Sequence, residues 1–214
     1  SIARLDIAFV NSVIVSVVRT VATCLTSLVL GYVFAKYRFP GKGLLFGLIL
    51  STMMIPFPSI MVALYLKLSD FDLLDTLSGL MLVGLFSTFG ILLMRQWIIS
   101  VPNDFIEAAR IDGASEVRII FGIMAPLSAP PLAALAVFTF LGSWDDFLFP
   151  SIVLTNPDVK TLPLVLAGLN SLFWERYEIF CAGAMVTVVP VMVLFTAMRK
   201  QFMDGFKLVG GIKG

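Results

Sequence analysis

The sequence predicts an all-α protein, a polytopic bundle of transmembrane helices, on three observations. Of its 214 residues 59% are hydrophobic and only 14% charged, with a mean hydropathy of +1.00. A soluble domain of this size carries about a quarter charged residues and has no core large enough to hide so much apolar side chain. Five apolar runs approach or exceed the roughly 20 residues that a helix needs to cross the hydrocarbon of a bilayer. The few basic residues between those runs fall mainly on one side. The formal net charge of +1 lacks the basic excess of a nucleic-acid binder, so no nucleic-acid partner is expected. Cys24 and Cys181 both lie in apolar runs and histidine is absent. That leaves no disulfide framework, no histidine base and no expected metal or cofactor site.

Residues 1–9 read as an external segment without the charged and short apolar regions of a signal peptide. The expected spans are Val10 to Phe34, Leu44 to Leu66, Thr76 to Met94, Ala129 to Phe149 and Ile179 to Met198. Residues 10–198 thus form one transmembrane domain, followed by a cytoplasmic tail at 199–214. Pro56, Pro58, Pro130, Pro131 and Pro190 mark sites of kinking, tolerated where neighbouring helices take up the freed carbonyls. Gly79, Gly84, Gly90, Gly142 and Gly183 read as points of close helix approach. Ten Lys and Arg residues lie around 36–43, 95–122 and 199–214, against four on the opposite side. By the positive-inside rule those three regions are cytoplasmic and the amino terminus is external. No fixed-period repeat is visible. Two connections exceed simple turns: a cytoplasmic loop at about 96–128 and an external one at about 150–178, which contains the apolar run Leu162 to Phe173. Long loops in a compact domain usually carry function.

The cytoplasmic loop reads SVPNDFIEAARIDGASEVRIIFGIMAP. Asp104 followed three residues later by Glu107 resembles a capping box, giving a helix from Phe105 to Asp112 stopped by Gly113. At about 12 Å that helix is too short to span. Ala108 and Ala109 remove bulk, so that another protein surface can approach its backbone. Read without further context, the same segment is equally an amphipathic connector on the membrane surface, with Glu107 capping it.

Glu107, Ala108, Ala109, Gly113, Ile123 and Pro126 resemble the EAA signature of permease subunits in binding-protein-dependent ABC importers, with Ala125 where that family usually has Leu. The elements Asn11-Ser12, Tyr32 to Gly41, Met54-Ile55-Pro56, Trp144 to Phe147, Thr161-Leu162-Pro163 and Gly205 to Gly214 resemble the carbohydrate-uptake subgroup, most of all its second, maltose-type permease. The resemblance implies six spans, the first preceding Asn11, so the chain is expected to lack one through truncation or as a five-span variant. It implies a permease in the prokaryotic inner membrane, surrounded by lipid, with a second permease, two ATP-binding cassette ATPase subunits and an external solute-binding protein as partners. Glu107, Ala108, Ala109, Asp112 and Gly113 would then form the coupling helix seated on an ATPase, and the transported molecule would be a sugar or related solute. The chain itself has no Gly-x-x-x-x-Gly-Lys-Ser/Thr phosphate loop, so hydrolysis falls to a partner and the subunit is non-catalytic.

Arg19, Trp144, Asp145 and Asp146 are the polar exceptions inside the spans and the candidates for the translocation pathway. Arg19 stands roughly 13 Å into its span, where it either snorkels, pairs with a carbonyl, or lines the pathway with Asp145 or Asp146 as its partner. Trp144 beside two carboxylates has the composition of a sugar site and equally that of an interfacial anchor. The family usually has Trp-Asn there, so Asp145 is a departure. Two rival classes are a secondary transporter, which usually shows internal repeats, and a membrane-embedded enzyme, which needs a polar catalytic cluster at membrane depth.

Overall fold

The computed structural model describes residues 4–172 and 185–199. Among them the chain is entirely helical. Helix α1 (Leu5–Lys36) runs unbroken for 32 residues. It is followed by α2 (Lys42–Ser51), a 3-10 turn (Thr52–Met54), α3 (Phe57–Asp70), α4 (Leu77–Leu82) and α5 (Thr88–Ser100). The cytoplasmic loop of the sequence reading contains α6 (Asp104–Ile111) and α7 (Glu116–Ile119), continued by a π-turn (Ile120–Met124) and α8 (Ala125–Leu127). Then come α9 (Ala129–Trp144), α10 (Leu148–Val153), α11 (Leu162–Leu172) and α12 (Met185–Arg199). The apolar run expected in the external loop is thus α11.

The expected spans meet different fates. The first is α1, which starts at Leu5, inside the segment read as external. Ala129–Val153 is a second stretch long and apolar enough to cross a membrane. The run from Leu44 to Leu66 is a pair of helices, Lys42–Met54 and Phe57–Asp70, bent by 101°. The cause is local: Pro56 lacks an N–H and keeps Ile55 out of the helical region, so both residues are extended. Taken as one span, this pair makes a third. The run from Thr76 to Met94 is two helices, each with its own cap. The Thr76 hydroxyl accepts the Gly79 N–H at 3.1 Å, and Ser87 accepts that of Gly90 at 3.1 Å, which starts a new helix at Thr88. Of the fifth run, residues 179–184 lie outside the described residues, as do Cys181 and Gly183; α12 supplies the remainder.

The chain forms two compact units. The first comprises Ser1–Thr20, Pro56–Leu85 and Val137–Ala197. Its core gathers Val15, Met61, Leu80, Phe149 and Val153, with a second cluster around Phe140, Trp144 and Leu162. Two sequence elements of the resemblance meet here: the Asn11 amide donates to the Asp158 and Lys160 carbonyls at 3.0 and 3.1 Å, and the Ser12 hydroxyl accepts the Leu162 N–H at 2.8 Å. Asp75, at φ 56, accepts hydrogen bonds from the Thr155 hydroxyl and from the N–H groups of Asn156 and Thr155, which hold its carboxyl below the usual carboxylate range. These bonds pin the 154–162 connection to α1 and to the start of α4.

The second unit comprises Val21–Ile55, Phe86–Ala136 and Met198–Gly214. Its core holds Leu28, Tyr32, Met94, Ile98, Ile119 and Met124. Close packing of α1 on α5 is set by small residues. A Cβ on Gly31 would stand 2.6 Å from that of Met94, and one on Gly90 would overlap the Ser27 hydroxyl. Where lipid is as apolar as a side chain, such close backbone approach supplies the packing that holds helices together. Gly79 and Gly84 are similarly crowded, by Leu73 and Arg19, whereas Gly142 has nothing within 4 Å.

Candidate functional site

Two groups of the expected site residues assemble, one in each unit. In the second unit, α6 is amphipathic. Ile106 and Ala109 face inward at 3% and 7% exposure, against Tyr32, Ile98 and Ile119. Burying Ile106 stabilises the seat by about 2 kcal/mol. The opposite face presents Phe105, Glu107, Ala108, Ile111 and Asp112. The two alanines therefore differ in use: Ala108 lies open, while the small size of Ala109 lets α6 settle onto its own subunit.

The capping box of the sequence reading does not form as expected. The helix begins at Asp104, with Asn103 in the capping position and no side-chain cap. The physical reason is register: Asp104 is already helical and so cannot cap, while Asn103 before it has helical backbone and its side-chain oxygen accepts from the Lys36 ammonium at 2.8 Å. Lys36 also donates to the Val101 carbonyl at 2.6 Å. At the other end the expected stop is present. Gly113 has φ 77, its N–H reaches the Arg110 carbonyl at 3.0 Å, and the Ala114 N–H reaches the Ala109 carbonyl at 2.9 Å. This is a Schellman exit, which requires a left-handed residue.

Glu116, one turn beyond that exit, carries no signal in the sequence reading, yet it collects the segment's polar contacts. Its carboxylate accepts from the Tyr32 hydroxyl at 3.0 Å and from Arg110 at 2.8 and 2.9 Å. Partial burial pushes its pKa up, and hydrogen bonds from Tyr37, Arg110 and Tyr32 outweigh this, so the carboxyl lies below its ordinary range. The same contact raises the Tyr37 phenol. A depressed carboxylate contributes stability above its unfolded pKa and loses it as pH falls through the lower folded value, so Glu116 is a carboxylate at neutral pH.

In the first unit, Arg19 Nη1 lies 3.3 Å from Asp146 Oδ2, with the two side chains 18% and 20% exposed. Of the two acids expected near Arg19, Asp146 is the partner, because α9 ends at Trp144 and the interruption before Leu148 brings residue 146 inward while Asp145 remains exposed. The guanidinium crosses Gly84, whose missing side chain leaves the room. Trp144 is turned inward. It is 1% exposed, stacked on Phe140, edge-on to Phe9, and its indole donates to the Thr187 carbonyl at 3.1 Å. Its ring offers no open face to a solute here and instead anchors the end of α9. Among the described residues no cluster of metal-ligating side chains exists.

Among the described residues the chain is all-helical, with two stretches long and apolar enough to cross a membrane, which is the build of a membrane protein of the permease class. Residues 27–202 match the family described as the binding-protein-dependent transport system inner membrane component, and the chain belongs to that family. It is 38% identical over 206 residues to the arabinooligosaccharides transport system permease protein AraQ of Halalkalibacterium halodurans, covering 96% of this chain and 74% of that one. The lactose transport system permease protein LacG of Rhizobium radiobacter is 33% identical over 213 residues, with 99% and 77% coverage. The sn-glycerol-3-phosphate transport system permease protein UgpE of Pectobacterium atrosepticum is 30% identical over 205 residues, with 91% and 70% coverage. The fold is also that of a bacterial ABC transporter involved in import of the acidic polysaccharide alginate, with a TM-score of 0.81 at 22% identity over 93% of this chain and 76% of that one. The chain is thus a non-catalytic inner-membrane permease subunit of an ABC importer, with ATP hydrolysis in a partner, as the EAA resemblance implies. Neither a secondary transporter nor a membrane-embedded enzyme fits that membership.

Two predictions follow from these geometries. Because Gly113 has open space around it, its substitution tests the left-handed backbone alone. Gly113→Asn should retain most transport, while Gly113→Ala and Gly113→Val should lose it progressively at a local cost of about 1–2 kcal/mol. Transport assays at matched membrane expression read this, and equal activity across the series refutes it. For the half-buried pair, Arg19→Gln and Asp146→Asn should each impair assembly or transport more than their combination does, with a coupling of about 1–3 kcal/mol. A thermal-stability cycle on the purified complex reads the coupling, with Asp145→Asn as the additive control.

Proposed function

We propose that the chain forms half of the translocation pathway of a carbohydrate importer. It pairs with a second permease, docks on two ATPase subunits and receives solute from an external binding protein. The observation that carries this reading is the exposed face of α6, with Glu107, Ala108 and Asp112 presented by a helix whose exit is fixed at Gly113. Such a short rigid element transmits a push from an ATPase without bending, and so biases the bundle between inward-open and outward-open states. Arg19 and Asp146 are the pathway candidates, a charge pair able to exchange its internal bond for bonds to solute hydroxyls. Trp144 supports them from behind, and Asp145 stands at the exposed edge. The relatives' names support a sugar or polyol-type solute, since they specify arabinooligosaccharides, lactose and sn-glycerol-3-phosphate. The test is ATPase activity of the reconstituted complex with its binding protein across arabinotriose, lactose, a galactooligosaccharide and glycerol 3-phosphate. Stimulation by at least one sugar is expected, and silence across the panel with active ATPases removes the carbohydrate assignment.

The membrane arrangement belongs to the same reading. Five crossings, some made of bent or capped helix pairs, place residues 96–128 and the 199–214 tail in the cytoplasm and residues 150–178 outside, surrounded by lipid. The ten-to-four distribution of basic residues supports this orientation. Single cysteines at Asp72 and Lys207 should react with impermeant reagent from opposite faces, and reaction of both from one face overturns it.

A further inference from the structure

The coupling reading leaves open how α6 is fastened to the rest of its subunit. Its buried face is small: Ile106 and Ala109 are its only two side chains that are fully buried. A lever held by so little apolar surface would rock on its seat. The polar contacts at its two flanks converge on one element. On the amino-terminal side Lys36, the last residue of α1, holds the Val101 carbonyl and the Asn103 side chain at 2.6 and 2.8 Å. On the carboxyl-terminal side Glu116 joins Tyr32 of α1 at 3.0 Å to Arg110 of α6 at 2.9 Å, with Tyr37 against the same carboxylate. Tyr32 is fully buried, so its hydroxyl is a fixed point rather than a mobile surface group.

We propose that Glu116 is a positioning residue that locks the coupling helix to the cytoplasmic end of α1, so that displacement of α6 by an ATPase becomes displacement of α1. This rests on the coupling reading above and adds to it the route by which the push enters the bundle. The chemistry suits the task. A carboxylate has room for several acceptor contacts, and a planar guanidinium delivers two donors to it in fixed geometry. The buried Tyr32 of α1 and the exposed Tyr37 just past its end both donate to it. Removing the carboxylate takes from Arg110 its acidic partner and from the buried Tyr32 hydroxyl its acceptor, so the loss falls on the joint and not on the α6 seat.

The experiment uses the whole complex in nanodiscs, with spin labels at Asp104 of α6 and at Arg38, both exposed. Glu116→Ala and Glu116→Gln are each compared with the equally labelled parent. In Glu116→Ala the distance distribution should widen at least twofold, and stimulation of ATP hydrolysis by binding protein carrying arabinotriose or lactose should fall at least fivefold, with basal hydrolysis and subunit assembly retained. Glu116→Gln, which keeps one acceptor oxygen, should recover part of both. A distribution in Glu116→Ala as narrow as the parent's overturns the lock. A widened distribution with parental stimulation overturns its part in coupling. Failure of the coupling reading itself looks different: the Gly113 series would leave stimulation untouched while the distance arm still responded to Glu116.

Discussion

In hydrocarbon a polar side chain cannot fall back on water, so the partners that the fold offers decide where it can stand. Helix α1 shows this constraint most fully. From Asn11 and Ser12 it reaches the 158–162 connection; from Arg19 it reaches Asp146; from Tyr32 and Lys36 it reaches the segments flanking α6. Between these lie Ser16, Thr20, Thr23 and Ser27, buried small polar residues spaced so that they share one face. The small Ser27 permits the close approach of α5 at Gly90, while Thr20 satisfies its hydroxyl on the Ser16 carbonyl at 2.6 Å within the helix. A uniformly apolar α1 would still partition into lipid, but it would lack the contacts that specify which elements it meets.

This explains what the sequence disclosed and what it withheld. Composition and run length were enough for the class and for α1, because a bilayer imposes one length scale on every crossing helix. Gly113 was legible because few residues tolerate φ 77 at a helix exit. The break at Pro56 was legible as a kink, since proline's missing donor is a local property. The break before Thr88 was not: Ser87 is an ordinary residue in an apolar run, and only its hydrogen bond from the Gly90 N–H shows it to be a cap. Glu116 was invisible for a similar reason, since its partners Tyr32 and Tyr37 lie some 80 residues upstream.

At two places geometry separates possibilities that the sequence leaves together. Trp144 beside Asp145 and Asp146 has the composition of a sugar-stacking site, but the helix ends there, and an indole at a helix end can turn back into the bundle. It does so, stacked on Phe140, edge-on to Phe9 and with its N–H on the Thr187 carbonyl. Charge at this position is divided accordingly, Asp146 entering the interior toward Arg19 and Asp145 staying exposed. The Glu-Ala-Ala run likewise reads as one exposed patch in sequence and is split by the 3.6-residue period, Ala108 outward and Ala109 inward.

The forces that hold α6 can be ranked by size. The Arg110–Glu116 pair is substantially solvated, with side chains 49% and 40% exposed, and such pairs contribute less than about 1 kcal/mol. Ile106 alone contributes about 2 kcal/mol through burial. Apolar contact therefore determines that α6 stays down. It cannot determine how α6 is turned, because dispersion and burial are non-directional and a single side chain in a socket permits rotation. Hydrogen bonds are directional, weakening steeply as donor and acceptor leave their line. The bonds from Lys36 at one flank and through Glu116 at the other lie on opposite ends of the helix, and two separated directional constraints remove the rotation that the socket leaves free. Affinity for the seat and orientation on it thus come from different residues, which is why a charge pair too weak to matter for stability is placed where the helix must keep its bearing.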